Sequence, residues 1–384
     1  MGRNDGVDII KQIEQIRNSK IICYLTGDRL GVASAQISGD AIRPMYNHVR
    51  ILGFSGVEKI DLFLYSRGGS VDVPWPLVTM LREYCNELNV LIPFRAHSAT
   101  TLIALGADMI VMGKKGELGP IDPIMTKPLN DQSTFAETIP VEDVMSYIAF
   151  LKERVGLGDQ ASLSSMSHIL ADKLSPWTLG SMYRIHSHIR SIARKLLTSH
   201  CHSMDEQRIN SIIETLAEKT YFHGHAIGRL EAKSIGLDIV DAPEELDNLM
   251  WRLYEQYECL LKLNNPLDVR VVVPSDAEEY EEEIVIGAIE STPRTDLFTG
   301  NYKVKKLRQM PPQLNLSLNL SLPPQIQPDM LPAQVNEMLQ KFVQQIQAQL
   351  PHLIQTELNK QAPIAKIQGD LYDGSWKDTT VRGI

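Results

Sequence analysis

The stretch that most constrains the fold runs from Leu62 to Asp122, where short apolar runs alternate with helical runs. The apolar runs, typical of buried strands, are residues 62–65, 90–94 and 109–112. Strands that alternate with helices favour a mostly parallel sheet with right-handed crossovers. In layered α/β folds the loops that follow the strands carry the active site. The sequence therefore predicts an α/β fold with its site at the loops 66–70 and 96–101.

Composition narrows the class of protein. The chain has 384 residues, enough for about two or three domains. Its hydrophobic content of 43% and charged content of 22% are ordinary for a soluble globular protein. A net charge of −9 disfavours a nucleic-acid partner. The four cysteines lie far apart without a CxxC pair, which indicates reduced thiols in the cytoplasm and no disulfide framework.

No targeting or membrane segment is expected. The N-terminus is polar, which disfavours a signal peptide. No apolar run reaches the roughly 20 residues that a membrane span needs. We therefore expect a cytoplasmic protein without a membrane span.

Hydrophobic periodicity places the other elements of the first two thirds of the chain. Helices are predicted at residues 5–19, 71–88, 98–107, 141–155 and 243–263, with a helical segment over about 159–220 and a short helix at 229–235 that ends at Gly236. Further strands are predicted at residues 20–25, 60–65 and 237–240. Residues 123–140 have weak periodicity and are interpreted as a mobile surface loop.

The composition changes after residue 264. An acidic run at 278–283 is interpreted as solvated surface. The alternating apolar pattern at 314–322 indicates a strand with one apolar face or a docking segment. A Gln-rich amphipathic helix is predicted at 334–360, which Pro351 should kink or break. We predict one domain over 1–264 and a C-terminal appendage over 265–384 for assembly or partner binding.

Ser98 is the candidate nucleophile. It stands between a strand and a helix rich in small residues, where free backbone N–H groups and the positive end of the helix dipole would surround its hydroxyl. A serine attacks efficiently only when a base takes its proton and donors hold the oxyanion. The alternative is a plain helix N-cap, a common role for serine, and the residue alone does not decide between the two.

Gly68 and Gly69 follow the preceding strand in the same way. Paired glycines let the backbone approach a ligand and aim N–H groups at it. Gly68, Gly69 and Ala99 are therefore the candidates for an oxyanion hole, with the amides of Gly69 and Ala99 as the expected donors. A plain strand-to-helix turn is the alternative.

The general base is sought among the histidines. His97 adjoins Ser98, but neighbours on an extended strand point in opposite directions, so it is discounted. His223 and His225 lie in a loop flanked by glycines, where functional residues are more frequent. His-x-His is also a metal-binding pattern, but no third ligand has convincing spacing. We expect no metal and no cofactor.

Several motifs together resemble those of a known family. The segment at 65–71, Tyr-Ser-Arg-Gly-Gly-Ser-Val, is similar to the Ser-Pro-Gly-Gly-Ser-Val loop of Clp-type peptidases. Residues 96–99 with 104–108 resemble their nucleophile segment, and Glu-Ala-x-x-x-Gly-Leu at 231–237 resembles a late turn. The Leu-Gly-Pro-Ile-Asp-Pro element at 118–123 is shared with the serine dehydrogenase proteinase family, the most similar branch.

This resemblance runs from about residue 20 to about residue 245. It implies a Clp/crotonase-like fold of layered ββα repeats and a Ser, Asp, His triad in that chain order. Ser98 matches the nucleophile, Asp122 falls where Clp peptidases place their histidine, and His223 matches the late histidine of the branch, with His225 as the alternative base. Relative to Clp peptidases, the acid and the base would thus have exchanged their positions in the chain. This is allowed because a triad is defined by geometry and not by chain order.

Two departures from the family pattern leave substrate and partners open. One is the expected lack of the N-terminal membrane anchor found in many members, together with a C-terminal appendage that has no match in the family; the other is at position 67. Arg67 replaces the proline of the Clp loop, where it would bind a substrate carboxylate or cover the sheet edge. Related membrane-associated peptidases use a Ser–Lys dyad, but the aligned position lies near Glu142, so that mechanism is expected to be absent, with Lys127 as the remaining lysine candidate.

The preferred hypothesis is a cytoplasmic serine peptidase that hydrolyses peptide bonds in a peptide or protein substrate. The alternatives are a non-catalytic scaffold or binding module on the same fold and a crotonase-like acyl-CoA enzyme. Because relatives with this fold form rings or trimers, and the apolar stripe of 334–360 needs a cover, we also expect a homo-oligomer.

Overall fold

The structure is a computed structural model that describes residues 3–53, 57–121, 124–128, 136–219, 224–274, 277–309 and 332–380. The chain divides into two compact units. The first contains Met1–Pro266, Glu283–Asn301 and Asp373–Ile384, and the second contains Leu267–Glu282 and Tyr302–Tyr372. The domain boundary that the sequence predicts after residue 264 stays a prediction.

The helices are α1 (Arg3–Arg17), α2 (Ile42–Gly53), α3 (Pro74–Arg82), α4 (Ala99–Leu105), α5 (Val141–Ala149), α6 (Gln160–Lys173), α7 (Pro176–Leu197), α8 (Glu206–Glu214), α9 (Arg229–Ile235), α10 (Glu244–Leu260), α11 (Val269–Val272) and α12 (Pro332–Gln361). Short turns of 3-10 helix at Gly39–Ala41 and of π-helix at Phe150–Arg154 and Thr215–Lys219 adjoin α2, α5 and α8. None of the helical segments that the structure describes is both long and apolar enough to cross a membrane.

The strands are β1 (Lys20–Thr26), β2 (Val57–Tyr65), β3 (Cys85–Ile92), β4 (Arg95–Ala96), β5 (Met109–Met112), β6 (Glu117–Leu118), β7 (Ile124–Pro128), β8 (Ala136–Pro140), β9 (Ile227–Gly228), β10 (Ile239–Asp241), β11 (Glu279–Ser291), β12 (Arg294–Arg308) and β13 (Ile364–Asp378). Eight of them form one sheet in the order β10-β5-β3-β2-β1-β11-β12-β13. The first five are parallel and β11 runs antiparallel to β1, so the predicted α/β class with a mostly parallel sheet is confirmed.

The later parts of β1, β2, β3 and β5 are buried on both faces, which explains the apolar runs in their sequences. Successive side chains of a strand point to opposite faces. In β2, Leu62 and Leu64 therefore face one core with α2, α3, α4, α7 and α8, whereas Phe63 and Tyr65 face the other core with α1 and α10. The parallel strands thus lie between two helical layers, which pack against both faces of the sheet.

A second, three-stranded sheet lies beyond the ends of these strands. Its order is β4-β6-β9, with β4 parallel and β9 antiparallel to β6. A bridge between Ser66 and Ala96 joins the loop after β2 to β4. This small sheet therefore gathers segments that lie more than a hundred residues apart in the chain.

Some predicted elements differ from the structure. The helix predicted at 71–88 is shorter, since α3 ends at Arg82 and β3 begins at Cys85. The interpretation of 123–140 as a mobile loop is wrong because β7 and β8 form an antiparallel pair there. The helix predicted at 141–155 is confirmed in α5 and the π-helical turn that follows it.

The second unit contains α11, α12 and the outer ends of β11, β12 and β13. Two of its basic side chains are paired with the predicted acidic run: Arg308 with Glu278 at 2.9 Å, and Lys303 with Glu279 at 2.8 Å. Pro351 was predicted to kink or break this helix; α12 continues through Pro351, so it does not break there. The alternating segment 314–322 lies outside the described residues.

Candidate active site

Ser98 occupies the second position of a tight turn. The N–H of Thr100 donates to the carbonyl of His97 at 3.0 Å, and Ser98 has φ 52° and ψ −118°. These values correspond to the first central position of a type II′ turn, which glycine normally occupies. A non-glycine residue held in such a region costs on the order of 1–3 kcal/mol, and such residues cluster at functional sites.

The Ser98 side chain does not cap the helix that it precedes. It occupies the N-cap position of α4, yet its hydroxyl makes no capping hydrogen bond. The alternative interpretation of Ser98 as a plain helix N-cap is therefore not supported. The strained backbone presents a half-buried hydroxyl instead of satisfying the helix.

The glycine loop after β2 is fixed by a network of hydrogen bonds. The Gly68 N–H donates to Ser66 Oγ at 3.0 Å, and Ser66 Oγ lies 2.6 Å from Thr26 Oγ1. The Ile37 N–H donates to Gly68 O, and the Ser70 N–H donates to Ile37 O, both at 2.8 Å. In this parallel bridge the N–H of Gly69 points away from Ile37, because the bonds to Ile37 come from its two neighbours.

Two free amides remain at this junction. Ala99 is the first residue of α4, so its N–H has no partner within the helix. Within the described part of the chain, neither the Ala99 N–H nor the Gly69 N–H has an acceptor. The Gly68 N–H, by contrast, is already bonded to Ser66. Gly69 and Ala99 are therefore the amides that could receive an oxyanion.

The loops after β4 and β6 are also tied together. Thr101 Oγ1 lies 2.7 Å from Ala96 O and 2.9 Å from Gly119 O, and it accepts the N–H of Gly119 at 3.1 Å. Further along, the Ile121 N–H donates to Leu216 O at 3.0 Å. The segment that leads to residue 122 is thus anchored both to the nucleophile helix and to the segment that precedes residue 220.

His97 is buried beside this junction in its neutral form. Burial lowers the pKa of His97 to about 4, with Arg67 and Arg95 lowering it further and Glu117 opposing the shift. Its Nε2 lies 3.3 Å from Glu117 Oε1, without hydrogen-bond geometry. Gly119 allows close packing on this imidazole, since a Cβ there would lie 3.1 Å from the ring. His97 is engaged with Glu117 and stays discounted as the base.

The structure brings some predicted site residues together and leaves others outside its description. Gly68, Gly69, Ser98 and Ala99 meet at the junction of two loops. Asp122 and His223 lie outside the described residues. The alternative base is described: the exposed His225 has its Nε2 2.8 Å from Glu231 Oε1. The side chains of Glu142 and Lys127, considered for a dyad, are not described.

A cluster of charged groups surrounds the glycine loop. Asp28 accepts a hydrogen bond from Tyr65 Oη at 2.7 Å and from Arg67 Nε at 2.6 Å. Arg95 lies 3.6 Å from the same carboxylate and donates to Glu117 at 3.2 Å. Of these charged residues, only Arg67 is predicted from the sequence to lie at the site.

A buried Ser–His–Asp chain that was not predicted joins α2 to β11 and β12. His48 of α2 lies 2.7 Å from Ser291 Oγ through Nδ1 and 2.9 Å from Asp296 Oδ2 through Nε2. His48 and Ser291 are completely buried, and Asp296 is nearly so. No substrate can reach this serine, so the arrangement holds the β11–β12 turn against α2. Elsewhere in the described ranges, no group of three metal-ligating side chains occurs.

Part of the chain is similar in sequence to a known protein family. Residues 4–133 match the family model of the ClpP-like SDH-type serine proteinases. The resemblance to the serine dehydrogenase proteinase family predicted from the sequence is confirmed over this stretch, which contains both loops of the junction.

Two uncharacterized proteins of Methanocaldococcus jannaschii are similar to parts of the chain. One is 28% identical over 200 residues, which are 52% of this chain and 59% of that protein. The other is 39% identical over 64 residues, which are 17% of this chain and 22% of that protein. The chain therefore spans well under two thirds of the length of either relative.

Two solved structures are also similar to part of the chain. A mutant of the 1510-N membrane-bound stomatin-specific protease is 17% identical, with a TM-score of 0.35, over 58% of this chain and 81% of that chain. ClpP1 from Listeria monocytogenes is 12% identical, with a TM-score of 0.32, over 62% of this chain and 97% of that chain.

Proposed function

We propose that the chain is a serine peptidase with Ser98 as its nucleophile, starting from the match of residues 4–133 to the ClpP-like SDH-type serine proteinases. The single observation that carries the assignment is the backbone of Ser98, held at φ 52° with no capping hydrogen bond from its hydroxyl. A structural serine would not need this conformation, whereas a nucleophile gains an exposed hydroxyl beside free amides.

In the proposed mechanism, Ser98 Oγ attacks the carbonyl carbon of the scissile peptide bond. The base removes the hydroxyl proton and then gives it to the leaving amine. The N–H groups of Gly69 and Ala99 hold the oxyanion of the tetrahedral intermediate. Water then hydrolyses the acyl-enzyme with the help of the same base.

The proposed base is His223, oriented by Asp122. Support comes from the small sheet, whose three strands flank the three proposed triad positions in the sequence. Strand β4 ends two residues before Ser98, β6 ends four residues before Asp122, and β9 begins four residues after His223. Pairing of these strands brings the described neighbours of all three positions to one small region.

A fluorophosphonate probe tests the nucleophile, because it reacts with activated serines. We expect the full-length protein to be labelled at Ser98 and Ser98→Ala to lose the label. Ser70→Ala, an exposed serine on the neighbouring loop, is the matched control and should keep it. Absence of labelling in the unmodified protein, or label that persists in folded Ser98→Ala, would reject Ser98.

The rate of fluorophosphonate labelling at Ser98 tests which histidine is the base. We expect His223→Ala to slow it by about 100- to 10,000-fold, as loss of a general base does. His225→Ala should slow it by less than about tenfold, since His225 is paired with Glu231. If His225 is the base instead, His225→Ala and Glu231→Gln will both slow the labelling and His223→Ala will not.

We further propose that the protein self-associates in the cytoplasm. Val343 and Leu353 of α12 are exposed apolar side chains within the second unit, consistent with a helix face that needs a cover. Light scattering of the full-length protein should give a mass above that of one chain. A monomer across the micromolar range would contradict self-association.

A further inference from the structure

We propose that Arg67 and Arg95 form a carboxylate-binding subsite beside Ser98, so that the peptidase selects substrates with a free carboxylate close to the scissile bond. This inference rests on the proposed function and adds a substrate class to it. The carboxylate belongs either to an Asp or Glu side chain or to the C-terminus of the peptide.

The backbone places both arginines in the two segments that meet at Ser98. Arg67 directly precedes Gly68, where an added Cβ would lie only 2.8 Å from the Cβ of Ser98. Arg95 lies in β4, three residues before Ser98, and the bridge between Ser66 and Ala96 brings the two segments side by side. Both cations also lower the pKa of His97, which places their charges close to the nucleophile loop.

The guanidinium of Arg67 is held in place by one hydrogen bond, and within the described residues its other donors are not used. Its Nε donates to Asp28 at 2.6 Å, and Asp28 is itself held by the hydroxyl of Tyr65 at 2.7 Å. Across the described ranges, neither terminal nitrogen of Arg67 has a hydrogen-bond partner. A guanidinium that is fixed through one nitrogen presents the remaining donors as a fork, the geometry that binds carboxylates through two hydrogen bonds.

The charges are layered, with the anions beneath the cations. The side chains of Asp28 and Glu117 are 10% and 14% exposed, whereas those of Arg67 and Arg95 are 47% and 29% exposed. Lys115 adds a third, more exposed cation near Glu117. The surface that meets solvent is therefore positive although the chain as a whole carries −9. Besides pairing with Asp28 and Glu117, both arginines keep part of their side chains exposed to solvent.

Peptide binding tests the subsite without requiring catalysis. Full-length Ser98→Ala protein is titrated into four fluorescein-labelled peptides that differ only in a central Glu or Gln and a free or amidated C-terminus, with fluorescence anisotropy as the readout. We expect at least one carboxylate to improve affinity about tenfold over its amide, the scale of one charge-assisted hydrogen bond. Preference for Glu identifies the side chain as the source, and preference for the free terminus identifies the C-terminus.

Variants in the same background assign the preference to the arginines. Arg67→Gln and Arg95→Gln should each reduce the carboxylate preference to below about threefold, while Arg67→Lys should retain part of it. Lys114→Gln removes a nearby exposed charge that contacts Asp247 instead, and should leave the preference unchanged. Equal affinity for all four peptides, no saturable binding, or a preference that survives in both folded glutamine variants would overturn the subsite.

Failure of the subsite is distinguishable from failure of the proposed function. Labelling of the unmodified protein by the fluorophosphonate depends on Ser98 and its base, whereas the binding comparison depends on the arginines. A labelled protein without carboxylate preference keeps the peptidase and rejects the subsite. An unlabelled protein that prefers carboxylates keeps the binding site and rejects its assignment to a peptidase.

Discussion

Gly68 lies so close to Ser98 that a Cβ placed on Gly68 would be 2.8 Å from the Cβ of Ser98 and 2.9 Å from the carbonyl oxygen of His97. Gly68 also has φ +112°, a conformation that side chains rarely adopt. The loop after β2 and the loop after β4 therefore meet only because residue 68 has no side chain. This contact sets the position of the proposed oxyanion amides relative to the hydroxyl.

Gly68→Ala should disable the site. The added methyl must push Ser98 away or twist the glycine loop, and a displacement of about 1 Å at a reacting group costs about 100-fold in rate. We expect fluorophosphonate labelling to slow by at least about that factor. Gly158→Ala is the control, because a Cβ there meets nothing within 4 Å. Unimpaired labelling of Gly68→Ala would show that the two loops are not in contact during the reaction.

Ser98→Gly should stabilise the protein while abolishing labelling. Glycine adopts the type II′ position without strain, which recovers part of the roughly 1–3 kcal/mol stored there, and the added freedom of the unfolded chain offsets some of that gain. We expect a net increase of about 1 kcal/mol in the free energy of unfolding by urea denaturation.

Ser98→Ala provides the comparison for this prediction. It also lacks the hydroxyl, but it keeps a Cβ in the strained position, so its stability should stay near that of the unmodified protein. If Ser98→Gly is no more stable than Ser98→Ala, the turn does not strain residue 98.

The sequence predicted the fold best where burial is complete on both faces. Strand β5 is apolar throughout, and β1 and β2 contain apolar runs at 21–25 and 62–65, which leave few alternatives to a parallel sheet. The start of β3 failed as a prediction because Cys85 and Glu87 are only partly buried, so its pattern resembles the end of the preceding helix. The β7–β8 pair failed because its strands carry few of the apolar residues that mark a buried strand.

The candidate site was predictable only in part, because some of its features leave no pattern in the sequence. Ser98 and the glycine loop follow strands, and that position is visible in the sequence. The turn type at Ser98 is not visible, since serine does not signal a positive φ. The His48 network could not be predicted either, because its partners lie 243 and 248 residues away in the chain. Long-range polar contacts leave no periodic signal.

His48→Ala should destabilise the protein without changing the site. It leaves Ser291 Oγ and the Asp296 carboxylate short of a buried partner, which costs about 3 kcal/mol in the free energy of unfolding. Urea denaturation measures the loss. His168→Ala removes an exposed histidine on α6 and should change stability by less than about 0.5 kcal/mol. Equal midpoints for the two variants would mean that the buried chain does not hold the β11–β12 turn.

Asp108 should make the stability of the protein depend on acid pH. Burial alone would raise the pKa of this carboxyl, but hydrogen bonds from Arg82 and from the N–H groups of Cys201 and Leu88 outweigh burial and hold the pKa below its usual value. A group whose pKa falls on folding stabilises the protein above its unfolded pKa, about 3.9 for aspartate. That contribution is lost as the pH falls through the lower, folded pKa.

Asp108→Asn separates this contribution from other acid effects. The amide keeps the shape of the side chain but loses charge-assisted bonds to Arg82, so we expect a loss of about 2 kcal/mol between pH 5 and pH 8. Below about pH 4 the difference from the unmodified protein should shrink, because the Asp108 carboxylate of the unfolded chain then takes up a proton before that of the folded protein does. Urea denaturation across pH 3 to 8 measures both curves, with exposed Asp172→Asn as the control. A difference that stays constant down to pH 3, or grows as the pH falls, would contradict a lowered pKa at Asp108.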